Sequence, residues 1–146
     1  MFFSKAPTAV TGPFDAIPFD ASISTSLDWE VELGVVIGPG GKNISQEDAM
    51  KHVWGYTVIN DVSWRDLQRR HGGQWHKGKS LDGTCPMGPV LVTADSLDPT
   101  SLRVACRAVA PCWPVLGWLA KGGSWVGGAP GRVVGVHVDG WPLHWI

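Results

Sequence analysis

The sequence predicts an α+β fold, mostly β-strand with short helices. Apolar runs of strand length recur along the first hundred residues, each closed by Gly, Pro or Asp clusters. The stretches with helical signals are brief and irregularly placed, unlike the regular strand–helix alternation of a doubly wound sheet. No stretch reaches the ~20 apolar residues of a membrane span. A length of 146 residues suits one domain with a core of its own.

The opening "MFFSKAPTAV" carries Lys5 after two Phe, so no secretion signal is expected. "PTAVTGPFDAIPF" is Pro-rich and predicts a loop. "SLDWEVELGVVIG" (26–38) alternates, then becomes fully apolar, and "GPGG" follows it; a strand entering the core and ending in a tight turn is expected. Ser45 is placed to cap a short helix over "QEDAMKHV", with Asp48 at the third helical position. "WGYTVINDVS" (54–63) predicts a second strand. "WRDLQRRHGG" predicts a short helix closed by Gly72. "PVLVTADSL" (89–97) and "SLRVACRAV" (101–109) are further strand candidates.

Charge and composition narrow the function. The formal net charge of -1 gives no electrostatic footprint for nucleic acid or an anionic membrane. Cys85, Cys106 and Cys112 share no C-x-x-C spacing, which argues against a disulfide framework or zinc site and suits a reducing, cytoplasmic compartment. Of 13 acidic residues, 12 lie at or before Asp98. The last 46 residues instead hold Trp113, Trp118, Trp125, Trp141 and Trp145 with eight Gly, and show neither a sustained helical period nor clean alternation. Their chemistry is that of a different segment.

One eight-residue match invites a nucleotide reading. "GQWHKGKS" (73–80) fits G-x-x-x-x-G-K-[ST]. A phosphate loop needs a buried strand before it and a helix starting at the Lys. Here "WRDLQRRH" precedes it, and "LDGTCPMGP" after Ser80 is too rich in Gly and Pro to continue a helix. The match is set aside.

The acids are more informative. Asp28, Glu30 and Glu32 fall on one face if their segment is a strand, with Trp29, Val31 and Leu33 on the other. Such a face is either solvated or relieved by a hard cation such as Mg²⁺, Mn²⁺ or Ca²⁺. Asp61 closes the run "GYTVIN", where it either reaches into a cleft or caps the following helix. Arg65 and Gln68 follow at spacings that share its face if that segment is helical, while Asp66 points to solvent. His71 and His76 flank Gly72–Gly73 and are expected in a loop.

"LDWEVELGVVIG", "GYTVINDVSWRDLQRR" and "QWHKGKSLDGTCPMGP", in this order and spacing, resemble the fumarylacetoacetate hydrolase superfamily, as does "FFSKAPTAVTGP" near the start. The resemblance covers about residues 2 to 103. It implies a mixed β-roll, a homodimer, and Mg²⁺ or Mn²⁺ held by an E-x-E pair and a downstream Asp, here Glu30, Glu32 and Asp61. It implies that Lys79 is the catalytic lysine and that Arg65 and Gln68 contact substrate. The substrates implied are 2-oxo acids or 1,3-dicarbonyl compounds, undergoing C–C hydrolysis, decarboxylation, hydration or isomerisation. Lys5 matches the family's F-x-K segment, and no role carries over to it or to Asp28.

Two family segments have no counterpart: an upstream N-Y-x-x-H-x-x-E motif thought to activate water, and a downstream T-G-T-P-x-G motif. The expectation is a partial catalytic domain at 1–103, impaired by truncation. A divergent Trp/Gly-rich tail at 104–146 follows, disordered or frame-shifted, since its composition is what a shifted frame in GC-rich DNA yields. Two other readings stand beside this one: a non-catalytic relic that binds metal or ligand, and a small domain whose Trp-rich tail contacts proteins.

Overall fold

The structure, a computed structural model, describes residues 2–110, 113–115 and 132–139. Trp118, Trp125, Trp141 and Trp145, and with them most of the expected disordered or frame-shifted tail, lie outside the described residues.

Strands dominate. In chain order they are β1 (Val10–Thr11), β2 (Leu27–Asp28), β3 (Val31–Ile37), β4 (Val53–Asn60), β5 (Ser63–Trp64), β6 (Cys85–Pro86), β7 (Val92–Thr93), β8 (Arg103–Ala110), β9 (Trp113–Val115) and β10 (Arg132–Asp139). Two short helices, α1 (Arg65–Arg70) and α2 (His76–Lys79), sit between β5 and β6. Three 3-10 turns cover Pro7–Ala9, Ala49–His52 and Ala94–Ser96. The mostly-β α+β expectation therefore holds at the level of a mixed fold of strands and short helices.

The central unit is an antiparallel sheet in the order β3-β4-β7, in which Val31 faces Asn60 and Leu33 faces Val58. β2 pairs with β5 antiparallel, β1 with β6 in parallel, and β8 lies between β10 and β9. Val62 and Ile17 form the buried cluster, with Leu27, Trp29 and Val31 packed on it. Phe19 stacks on Trp64 with ring centroids 5.6 Å apart.

Several elements differ from expectation, each for a local reason. The strand expected over 26–38 is broken at Trp29–Glu30. Asp28 Oδ1 accepts the Trp29 N–H at 2.9 Å and Asn60 Oδ1 accepts the Glu30 N–H at 3.2 Å. Those two amides are satisfied by side chains, so the ladder can stop there. Its second half is covered on one face alone: Val36 is half-buried, whereas Val35 at 49% and Ile37 at 63% exposed share the opposite, open face.

The strand over 54–63 likewise breaks at Asp61–Val62, giving β4 and β5. Ser45 and Asp48 do bond one another, at 3.0 Å between side chains, but they close a turn that leads into a 3-10 segment rather than an α-helix. Over 89–97 only Val92–Thr93 is strand, followed by the 3-10 turn. Within the segment expected to be loop-like, Val10–Thr11 pairs with Cys85–Pro86. β10 is a strand that the tail's composition masked; "RVVGVHVD" carries the alternation.

α1 ends as expected: Gly72 and Gly73 take φ of 60° and 83°, a region that disfavours side chains. His76, expected in a loop, instead opens α2.

Candidate metal centre

The breaks in the strands build the site. Because β3 starts only at Val31, Glu30 and Glu32 flank its first residue. Because β4 stops at Asn60, Asp61 leaves the ladder beside them, with its N–H bonded to the Glu30 carbonyl at 2.8 Å. One carboxylate oxygen from each of Glu30, Glu32 and Asp61 lies within 4.8 Å of the others.

Lys79, at the end of α2, is 1% exposed and donates to Glu30 Oε2 at 2.8 Å and to Asp61 Oδ2 at 2.7 Å. Its ammonium also lies 5.0 Å from the Phe3 ring centroid. A charge this deeply buried is stable only because two carboxylates receive it. The helix ends at Lys79 rather than beginning there, and the ammonium faces carboxylates. The geometry is therefore opposite to a phosphate loop's.

Arg65 opens α1 and is spread over three partners. Nε and Nη2 donate to Asp28 Oδ2 at 2.8 and 2.6 Å, and Nη1 meets Gln68 Oε1 at 3.1 Å and Glu30 Oε1 at 2.5 Å. Gln68 is buried. The structure therefore brings Arg65, Gln68, Lys79, Glu30, Glu32 and Asp61 into one neighbourhood.

The routes differ from those expected. Asp61 precedes α1 and shares no helix face with Arg65 and Gln68. Nor does it cap that helix, whose cap residue Trp64 makes no side-chain bond. Asp28, expected in a row with Glu30 and Glu32, is turned to Arg65 by the break after β2. Asp66 does not stand free in solvent but accepts from Ser24 and pairs with Arg70 at 3.3 Å.

Electrostatics separate the three acids. Burial disfavours the charge on Glu30, but the hydrogen bond and charge of Lys79, with those of Arg65, outweigh it and hold the carboxyl below its ordinary value. Glu32 is exposed by surface area, yet its carboxyl is pushed up, by partial burial first and then by the charges of Asp61 and Glu30; Lys79 and Lys5 oppose this. Glu32 is also the one of the three without an ion pair among the described residues.

Three converging carboxylates fit a hard divalent ion such as Mg²⁺ or Mn²⁺ and do not suit a metal that favours nitrogen or sulfur. The site's strain lies in the uncompensated third acid, which is what a dication relieves.

Some residues of this neighbourhood have weak sequence signals. Asn60 is fully buried and its side chain accepts the Glu30 N–H. Ser63, also fully buried, donates within 3.3 Å of Glu30 Oε1. The polar run "NDVS" after an apolar strand is the one hint to both. Lys5 reaches Asp61 Oδ1 at 2.7 Å across 56 residues of chain, a contact no spacing rule predicts.

Comparison with known proteins places the chain in a family. Residues 1–110 match the family described as fumarylacetoacetate (FAA) hydrolase C-terminal. Oxaloacetate tautomerase YisK of Bacillus subtilis (strain 168) is 52% identical over 108 residues, covering 73% of this chain and 36% of that protein. The mitochondrial oxaloacetate tautomerase FAHD2A of Homo sapiens is 51% identical over 109 residues, covering 73% and 34%.

Among solved structures, the fumarylacetoacetate hydrolase from psychrophilic Exiguobacterium antarcticum superposes with a TM-score of 0.69 at 49% identity, over 73% of this chain and 38% of that one. The 2-hydroxyhepta-2,4-diene-1,7-dioate isomerase from Mycobacterium marinum gives 0.64 at 38% identity, over 71% and 40%. The chain thus spans about a third of the length of the curated relatives it matches. With the family's motifs in order and its fold over the same residues, this chain belongs to the fumarylacetoacetate hydrolase family.

Proposed function

We propose that this chain carries the metal and substrate site of a tautomerase or isomerase acting on 2-oxo acids, oxaloacetate foremost. The observation that carries the proposal is the meeting of Glu30, Glu32 and Asp61 around the buried Lys79. The names of the relatives favour enol–keto interconversion over the hydrolysis, decarboxylation and hydration that the family also performs.

Glu30, Glu32 and Asp61 would hold Mg²⁺ or Mn²⁺, which supplies Lewis-acid polarisation to a chelated 2-oxo acid. Lys79 presents a proton-bearing ammonium to the enolate oxygen, where negative charge grows, and burial strengthens that interaction. Arg65 would offer a substrate carboxylate the N–H that its partners leave free, while Asp28, Gln68 and Glu30 keep its guanidinium from rotating. A homodimer belongs to the same proposal.

The test is direct. The purified chain is titrated with Mn²⁺ by calorimetry, and loss of the oxaloacetate enol is followed by ultraviolet absorbance. Mn²⁺ binding with metal-dependent tautomerisation is expected. Binding without turnover is the outcome of a non-catalytic metal-binding relic. No binding at all sinks both readings.

A further inference from the structure

Lys5 has no part in the chemistry above, yet it touches the site's most buried acid. Its ammonium donates to Asp61 Oδ1 at 2.7 Å and to the Val62 carbonyl at 3.1 Å. Lys79 holds the other oxygen, Oδ2, at 2.7 Å. Both oxygens of Asp61 are therefore engaged by ammonium groups. A dication entering among Glu30, Glu32 and Asp61 needs a lone pair from each and is repelled by cations this near.

The two lysines are not equivalent competitors. Lys79 is 1% exposed, bridges two acids and stands at the end of a helix. Withdrawing it would strand a charge in a dry interior. The Lys5 side chain is 15% exposed, meets a single carboxylate, and lies before the first 3-10 turn in a segment without helix or strand. It can turn its ammonium to water while its stem stays on the protein.

We infer that Lys5 is an internal counter-cation of the metal site, holding Asp61 Oδ1 when no ion is bound and yielding that oxygen when a divalent ion enters. This rests on the metal reading of the site. The four carboxylates Asp28, Glu30, Glu32 and Asp61 against the three cations Lys5, Arg65 and Lys79 leave one uncompensated negative charge, carried by Glu32. Lys5 thereby lowers the affinity for the ion while keeping Asp61 in position without it. It acts through Asp61 and is a positioning residue.

The experiment compares wild type with Lys5→Gln, Lys5→Met and Lys5→Arg by Mn²⁺ calorimetry and by thermal denaturation with and without Mn²⁺. Each neutral variant should bind Mn²⁺ at least about tenfold more tightly, since removing a unit charge beside a dication favours the ion. Its metal-free Tm should fall and its Mn²⁺-induced rise in Tm should grow. Lys5→Arg, which keeps the charge, should bind like wild type. Either folded neutral variant suffices. Equal or weaker binding by it, with wild type binding, overturns the role of Lys5 and leaves the metal site standing. No binding by wild type or variants overturns the metal site and the inference with it. Binding by the neutral variants alone supports the inference in its strongest form.

Discussion

Glu32 is the acid whose ionisation the fold does not compensate, and its raised pKa makes a stability statement. A carboxyl whose pKa rises on folding lends stability below the unfolded value, near 4.5, and loses it as pH climbs through the folded value. Glu32→Gln removes that loss. Thermal denaturation should show the metal-free variant more stable than wild type at pH 7, with the gap closing as pH falls below about 4.5. The same variant should lose Mn²⁺ binding in calorimetry; undiminished affinity would remove Glu32 from the ligand set. Glu30 has the opposite sign: its lowered pKa contributes stability at neutral pH that fades on acidification.

Lys79 tests the buried pairs. Lys79→Met leaves Glu30 and Asp61 without their shared cation, and urea unfolding should report a loss of about 3 kcal/mol. Added Mn²⁺ should restore part of it by binding the freed acids.

At the scale of elements, the close approach of α1 and α2 sets the distance between Arg65 and Lys79. Gly78 makes it possible. A Cβ there would lie 2.6 Å from Gln68 Cα and closer still to the Gln68 backbone nitrogen, and backbone cannot step aside. Gly78→Ala should push the helices apart, cost about 2 kcal/mol in chemical denaturation, and reduce turnover more than Mn²⁺ affinity, since the ligands sit elsewhere. Wild-type stability in that variant would show that the helices are free to separate. The α1 boundary and its Gly72 stop were legible in "WRDLQRRHGG", because capping and breaking are local. The interruptions after Asp28 and Asn60 were not. The first depends on the Asp28 and Asn60 side chains accepting the Trp29 and Glu30 amides, the second on the Asp61 and Val62 amides turning to the Glu30 and Asn60 carbonyls, and periodicity records side-chain polarity rather than hydrogen-bond partners.

Across the whole molecule, apolar surface stays exposed: Val35 and Ile37 on β3, Trp54 at 48% and Leu91 at 55%. An apolar edge strand is a template for association. Light scattering should show concentration-dependent association of the chain. Ile37→Lys, which places a charge on that edge, should reduce it; no change would locate the sticky surface elsewhere.

Local pattern was enough to show a mostly-β chain, one of its two short helices, α1, and a composition break toward the tail. The ordered motifs were enough to identify the family, because "LDWEVELGVVIG" and "QWHKGKSLDGTCPMGP" are long and specific where "GQWHKGKS" is short and degenerate. Spacing named the acids Glu30, Glu32 and Asp61 only as alternatives to a solvated face and a helix cap. Tertiary structure alone showed that Asp28 holds Arg65, that Lys79 is buried between two acids, and that Lys5 reaches Asp61. The reason is range. Alternation, caps and turns act within a few residues, whereas charge compensation is settled by whichever groups folding brings within a few ångströms, however far apart they lie in the chain.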